Sequence, residues 1–84
     1  MHYVYALKSL KDGKYYFGQT DNVIRRPEEH NQGKVKSTRY RRPLILIGYK
    51  EYETRNEARW VEYNIKSHSD KKRKFLNDLE TLKP

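Results

Sequence analysis

Eighty-four residues carry 19 Lys and Arg against 11 Asp and Glu, a formal charge of +8 and a pI near 9.8, so the surface projects a positive field and the expected partner is a polyanion, nucleic acid foremost. A chain of this length makes one small domain (1–84) that buries about 60–65% of its unfolded surface, which leaves a thin core and no room for a second domain. The absence of cysteine excludes a disulfide framework and a thiolate metal site; with no apolar leader and no run of membrane-spanning length, the expected location is the cytoplasm, away from any membrane.

Tyr3 to Leu7 and Tyr15 to Gly18 are rich in aromatic and β-branched residues and read as two strands, with Asp12-Gly13 between them able to form a tight hairpin turn. With those two as the turn residues, Tyr5 and Tyr16 share one face with Tyr3 and Leu7, while Val4, Ala6, Tyr15 and Phe17 take the other. A one-residue bulge in the turn would exchange the faces of one strand.

A helix follows, and Pro27 leaves its start open. If the helix begins just after Asn22, proline falls in its interior at a cost of about 3 kcal/mol. If Pro27 is instead the first helical residue, Glu28 and Glu29 sit favourably in the first turn and Arg26 lies on the cap. The stretch from Gly33 to Arg42 carries Lys34, Lys36, Arg39, Arg41 and Arg42 with Tyr40 among them. That mixture suits gripping a phosphate backbone and stacking on an unpaired base, contacts that give affinity without reading sequence.

Leu44 to Tyr49 reads as a third strand entered through Pro43, and its continuous apolar run predicts burial on both faces. Thr54-Arg55-Asn56-Glu57 is a capping box that starts a helix, on which Ala58, Val61 and Ile65 form the apolar stripe and Glu62 falls on its flank. Glu62 is thereby placed at the edge of a groove, where the competing reading is an ion pair with Lys66 four residues on. A last, basic helix (69–84) starts near Ser69 or Asp70, with Phe75, Leu76, Leu79 and Leu82 at helical spacing. Lys71 to Lys74 oppose the positive end of its dipole, which makes more sense with phosphates nearby.

Tyr3-Val4-Tyr5, Tyr16-Phe17-Gly18, Arg25-Arg26-Pro27-Glu28-Glu29-His30-Asn31, Thr38-Arg39-Tyr40-Arg41-Arg42 and Asn56-Glu57-Ala58 leading to Glu62 form an ordered set. It resembles the GIY-YIG nuclease superfamily over residues 3–68, in particular its small stand-alone members and the nuclease domain of the excision-repair subunit that makes the 3′ incision. Tyr3 stands where the name-giving glycine would be, as is usual in the small members. Gln19 stands where the family often has a basic residue.

Elements and resemblance together give an α+β fold: a three-stranded antiparallel sheet in ββαβα order, first strand central, flanked by helices and followed by an extra C-terminal helix. The resemblance implies a metal-dependent DNA endonuclease that hydrolyses phosphodiesters at a single-metal site with little sequence specificity. The residues matching the family's are Tyr16, which prepares the attacking water, Tyr5 and His30, which assist it, and Arg26, which neutralises charge on the scissile phosphate. Glu62 matches the glutamate that holds Mg²⁺ or Mn²⁺. Arg25 reads as a solvated or backbone-phosphate contact, and a lone surface histidine is the plain alternative for His30. The expected substrate is DNA, branched or single-stranded, within a larger nuclease or repair assembly. The alternative function is a catalytically weak or inactive DNA- or RNA-binding module of the same fold; a basic structural protein bound to ribosomes or to a larger nuclease assembly is a third.

Overall fold

Strands β1 (His2–Ser9), β2 (Tyr15–Thr20) and β3 (Leu44–Tyr52) form one antiparallel sheet in the computed structural model, which describes residues 1–81. Their order is β2-β1-β3, so the first strand is central as expected. Helices α1 (Arg25–Asn31), α2 (Arg55–Ser67) and α3 (Ser69–Thr81) complete the α+β arrangement, with a 3₁₀ turn at Arg39–Arg41. None of the described helices is long and apolar enough to cross a membrane.

Because side chains alternate along a strand, β1 serves two different layers. Val4 and Ala6, joined by Phe17 of β2, point toward α2 and α3 and pack with Ala58, Ile65, Phe75 and Leu79. Tyr5 and Leu7 point the other way, with Leu44, Tyr16 and Val23, toward the side on which α1 lies. Covered on both faces, Val4, Tyr5, Ala6 and Leu7 are all fully buried.

The hairpin differs from the two-residue turn that Asp12-Gly13 predicts. Ser9 N–H donates to the Lys14 carbonyl, so the loop is Leu10 to Gly13, and only Gly13 (φ +72) takes a positive φ. The Ser9 hydroxyl supplies what the turn backbone lacks, accepting from the amides of Lys11 and Asp12. The loop is two residues longer than the tight turn, so the pairing slides by an even number and the faces are preserved: Leu7 opposes Tyr16 and Tyr5 opposes Gly18.

Helix α1 begins at Arg25, so Pro27 is its third residue, which matches neither placement of the proline derived above. Since the Arg26 amide already reaches the Asn22 carbonyl, the amide missing at Pro27 forgoes one bond, to the Val23 carbonyl, near the start of the ladder. Asn22 organises the entry: its Oδ1 accepts from the amides of Ile24 and Arg25, and its carbonyl accepts from Arg26. Arg26 therefore lies inside the first turn rather than on a cap. A Schellman ending closes the helix, with Gly33 (φ +79) donating to the His30 carbonyl and Lys34 to that of Glu29.

Burial of β3 on both faces is overturned. Leu44 is buried, but Ile45 and Leu46 are 43% and 40% exposed. The strand is at the sheet's edge, and its pairing shifts between Ala6–Gly48 and Leu7–Leu46, which makes Ile47 an extra residue that turns into the helix-side core. The Arg42–Pro43 bond that leads into it is cis. Asn31 at the end of α1 grips the start of β3, accepting from the Leu44 amide and donating to its carbonyl, both at 2.8 Å.

The capping box forms as expected on one side, Thr54 Oγ1 accepting from the Glu57 amide. Helix α3 follows α2 after His68 alone and returns across the sheet, anchored by Leu79 and by Phe75, whose ring meets Phe17 edge-on at 6.0 Å. Leu82, expected on the same apolar stripe, lies outside the described residues.

With so few large side chains in the helix-side layer, each matters. Phe75→Ala should destabilise the protein by about 3–5 kcal/mol in urea unfolding, for the lost transfer energy plus the cavity left against Phe17. A loss under about 1 kcal/mol would show that α3 does not contribute to the core.

Candidate active site

The face of β1 turned away from α2 and α3 carries the polar residues. Tyr5 lies across Gly18 of β2, where an added Cβ would stand 2.6 Å from the Tyr5 Cζ, so only glycine admits the ring. The Tyr5 hydroxyl reaches His30 Nε2 at 2.9 Å, and His30 Nδ1 meets Thr38 Oγ1 at 2.7 Å. All three residues are buried: Tyr5 is 1% exposed, His30 and Thr38 0%. His30 is thus no surface histidine.

Burial, and after it the charge of Arg26, pushes the His30 pKa down to about 4, against a smaller opposing pull from Glu29. Burial likewise raises the Tyr5 phenol to about 12, despite the Arg26 guanidinium beside it. At neutral pH both groups are uncharged. The Thr38 hydroxyl faces the Val35 carbonyl at 3.5 Å, which leaves it to accept from His30 Nδ1–H, so Nε2 is the acceptor of the Tyr5 proton.

Tyr16, half-buried, joins the group from β2, its ring edge-on to His30 at 5.1 Å. Arg26 enters from the first turn of α1. Its partial burial works against the charged form, but the Tyr5 hydroxyl, and after it the charges of Glu29 and Tyr16, hold the guanidinium above its usual range. Glu29 stands 3.6 Å from Arg26 and 3.9 Å from Arg25. From α2, Glu62 comes close enough for its charge to contribute to the rise at Tyr5. Its Oε1 lies 2.8 Å from Lys66 Nζ, which in turn stands 5.4 Å from the centre of the Tyr16 ring. Tyr5, Tyr16, Arg26, His30 and Glu62 therefore converge on one corner of the molecule, and the Glu62–Lys66 ion pair of the plainer reading is present as well.

The remaining predicted residues lie outside this cluster. Arg25 shares with Arg26 a hollow of about 410 Å³ lined also by Gln19 and Arg55. Arg41 is committed to the hairpin, its Nε 3.2 Å from Asp12. Arg42 donates to the Arg39 carbonyl at 2.8 Å. Lys34, Lys36, Arg39 and Tyr40 stay exposed, Tyr40 at 74%. The sequence names Thr38 only as part of the motif Thr38 to Arg42 and gives it no role, since its hydroxyl sits among cations and follows no hydrophobic period, and Lys66 enters only as a competitor for Glu62.

Among the described residues no group of three or more His, Asp or Glu is placed to hold a metal. Glu62 offers a cleft-side carboxylate, 22% exposed and already engaged with a cation, the Lys66 ammonium. Such a donor fits a hard divalent ion that keeps most of its waters and borrows phosphate oxygens.

Comparison with known proteins places this geometry in context. Residues 1–75 match the GIY-YIG catalytic domain. The chain is 42% identical over 81 residues to UPF0213 protein lin0209 of Listeria innocua, covering 94% of this chain and 89% of that protein. It is 41% identical over 73 residues to a UPF0213 protein of Staphylococcus aureus, covering 86% and 88%. The solution NMR structure of the UPF0213 protein BH0048 from Bacillus halodurans superposes with a TM-score of 0.55 at 40% identity, covering 93% of this chain and 83% of that one.

Two outcomes test the cluster physically. Tyr5→Phe should cost about 1–3 kcal/mol in denaturant unfolding, because it strands a buried His30 acceptor. His30 has a native pKa of about 4, below the unfolded value of about 6.5, so it contributes stability above pH 6.5 that is lost as pH falls toward 4. The loss should total on the order of 3 kcal/mol, and urea unfolding across that window should show a flatter profile for His30→Gln than for wild type.

Proposed function

This chain belongs to the GIY-YIG catalytic domain family, and from that premise we propose that it is a divalent-metal-dependent DNA endonuclease. The observation that carries the reading is the convergence of two phenols, a neutral imidazole, a guanidinium and a carboxylate on one corner of the β1-β2 pair.

In this reading Arg26 binds the scissile phosphate, and its fork offsets the charge that grows on the non-bridging oxygens. Tyr16, the less buried phenol, orients the attacking water. Tyr5 and His30 move the proton: as water gives its proton to the Tyr5 oxygen, Tyr5 passes its own to His30 Nε2. In the free protein a protonated His30 is disfavoured by burial and by Arg26. A phosphate anion on Arg26 removes the second of these, so the imidazole becomes a better base when substrate is bound. Glu62 would hold the divalent ion, Mg²⁺ or Mn²⁺, whose contribution when bound is to neutralise charge on the phosphate and its leaving oxygen.

Exposed Lys34, Lys36, Arg39 and Tyr40 supply contacts to a phosphate backbone and a surface for an unpaired base, which supports a substrate chosen by shape rather than by sequence. The second reading, a nucleic-acid-binding module with little or no turnover, is favoured by one observation: the Glu62 carboxylate is engaged by Lys66.

Purified protein should convert supercoiled plasmid to open circles with Mn²⁺ or Mg²⁺ and leave it intact in chelator. Arg26→Ala and Glu62→Ala should each slow nicking by about 10²-fold or more. Tight binding of branched or single-stranded DNA with no cutting by wild type would instead establish the second reading.

A further inference from the structure

Lys66 occupies a place that the proposed reaction leaves unexplained. Its ammonium lies 2.8 Å from Glu62 Oε1, and among the described residues Glu62 is its one ion-pair partner. It also stands 5.4 Å from the centre of the Tyr16 ring. A lysine with its side chain 48% exposed has every entropic reason to wander into solvent; here it lies between the carboxylate and the phenol that face the reacting group.

We infer that Lys66 is the resident counter-cation of the Glu62 site: it fills the position of a divalent ion in the free protein and is displaced from Glu62 onto substrate phosphate when the ion loads. This rests on the reading of Glu62 as the metal ligand. The conflict is electrostatic. One carboxylate cannot serve an ammonium and a divalent cation at hydrogen-bonding distance without the two positive charges repelling each other at close range. Among the described residues Glu62 belongs to no group of three or more His, Asp or Glu that would share the load.

An incoming phosphate relieves the conflict, because it brings negative charge for the released ammonium and oxygens for the metal. Lys66 is long and jointed enough to follow the phosphate while its stem stays on α2. Metal and DNA would then bind together, each strengthening the other, and the free protein would hold the ion weakly.

The test is a titration of the free protein with MgCl₂ alone, following the backbone amide signals of residues 61 to 66 by NMR, with MnCl₂ broadening to locate the ion. Lys66→Met and Lys66→Gln, the second of which keeps a hydrogen-bonding group without charge, should each lower the half-saturating Mg²⁺ concentration by about fivefold, the upper end of what one exposed ion pair is worth. Their spectra report retained folding in the same experiment. Glu62→Gln should abolish the shifts.

If both Lys66 variants titrate like wild type while Glu62→Gln abolishes the shifts, the inference is overturned and Glu62 as metal ligand stands. If the shifts survive in Glu62→Gln, the ligand assignment itself fails, and the role of Lys66 with it.

Discussion

A buried chain of hydrogen bonds, Thr38 to His30 to Tyr5, holds the candidate site together. It joins three pieces of polypeptide that share little apolar contact: the central strand, the short α1 and the basic loop after it. A helix of seven residues has no stability of its own in water. What places it is the imidazole at its last turn, seated between a phenol and a threonine, together with the grip of Asn31 on β3. Because the imidazole is sealed from solvent, each of its nitrogens must be satisfied by protein, and each is. That demand fixes the position of the loop at Thr38 and the approach of Arg26 one turn earlier in α1. Gly18 completes the constraint by leaving room for the Tyr5 ring.

The electrostatics follow the same economy. With a formal charge of +8 the protein could have presented an undifferentiated basic surface. Instead, acids are placed one by one beside particular cations: Glu29 beside Arg25 and Arg26, Asp12 beside Arg41, Glu62 beside Lys66. Exposed pairs of this kind add only about 0–1 kcal/mol each to stability. Their effect is to hold long side chains in defined positions, so that the cations at the cleft are aimed before any polyanion arrives.

Much of this was legible in the residues. Strand alternation placed Tyr5 and Tyr16 on one face, and that survived a longer hairpin because parity, not loop length, decides which way a side chain points. The Thr54 cap and the Ala58, Val61, Ile65 stripe located Glu62 on the flank of α2. Other features depend on relations that no local pattern encodes. The apolar run of Leu44 to Ile47 reads like a strand buried on both faces, yet whether a strand is central or at an edge is settled by its neighbours, and β3 has only one. Pro27 was ambiguous because Asn22, with two bonds from its side chain and one from its carbonyl, starts the chain turning before the first formal helical residue. Thr38 stood in the basic motif without a role of its own, because its partner is a side chain eight residues away whose burial depends on the sheet.

The clasp between Asn31 and Leu44 has a further consequence. An outer strand exposes a ladder of main-chain donors and acceptors that invites a stranger's backbone, and the apolar Ile45, Leu46 and Tyr49 would make such an invitation adhesive. The carboxamide of Asn31 presents an acceptor and a donor to Leu44 as a passing strand would, so the first rung is taken from within. The extra residue at Ile47 then distorts the next rungs. One side chain thus occupies, at Leu44, main-chain groups that an adjoining strand would otherwise use.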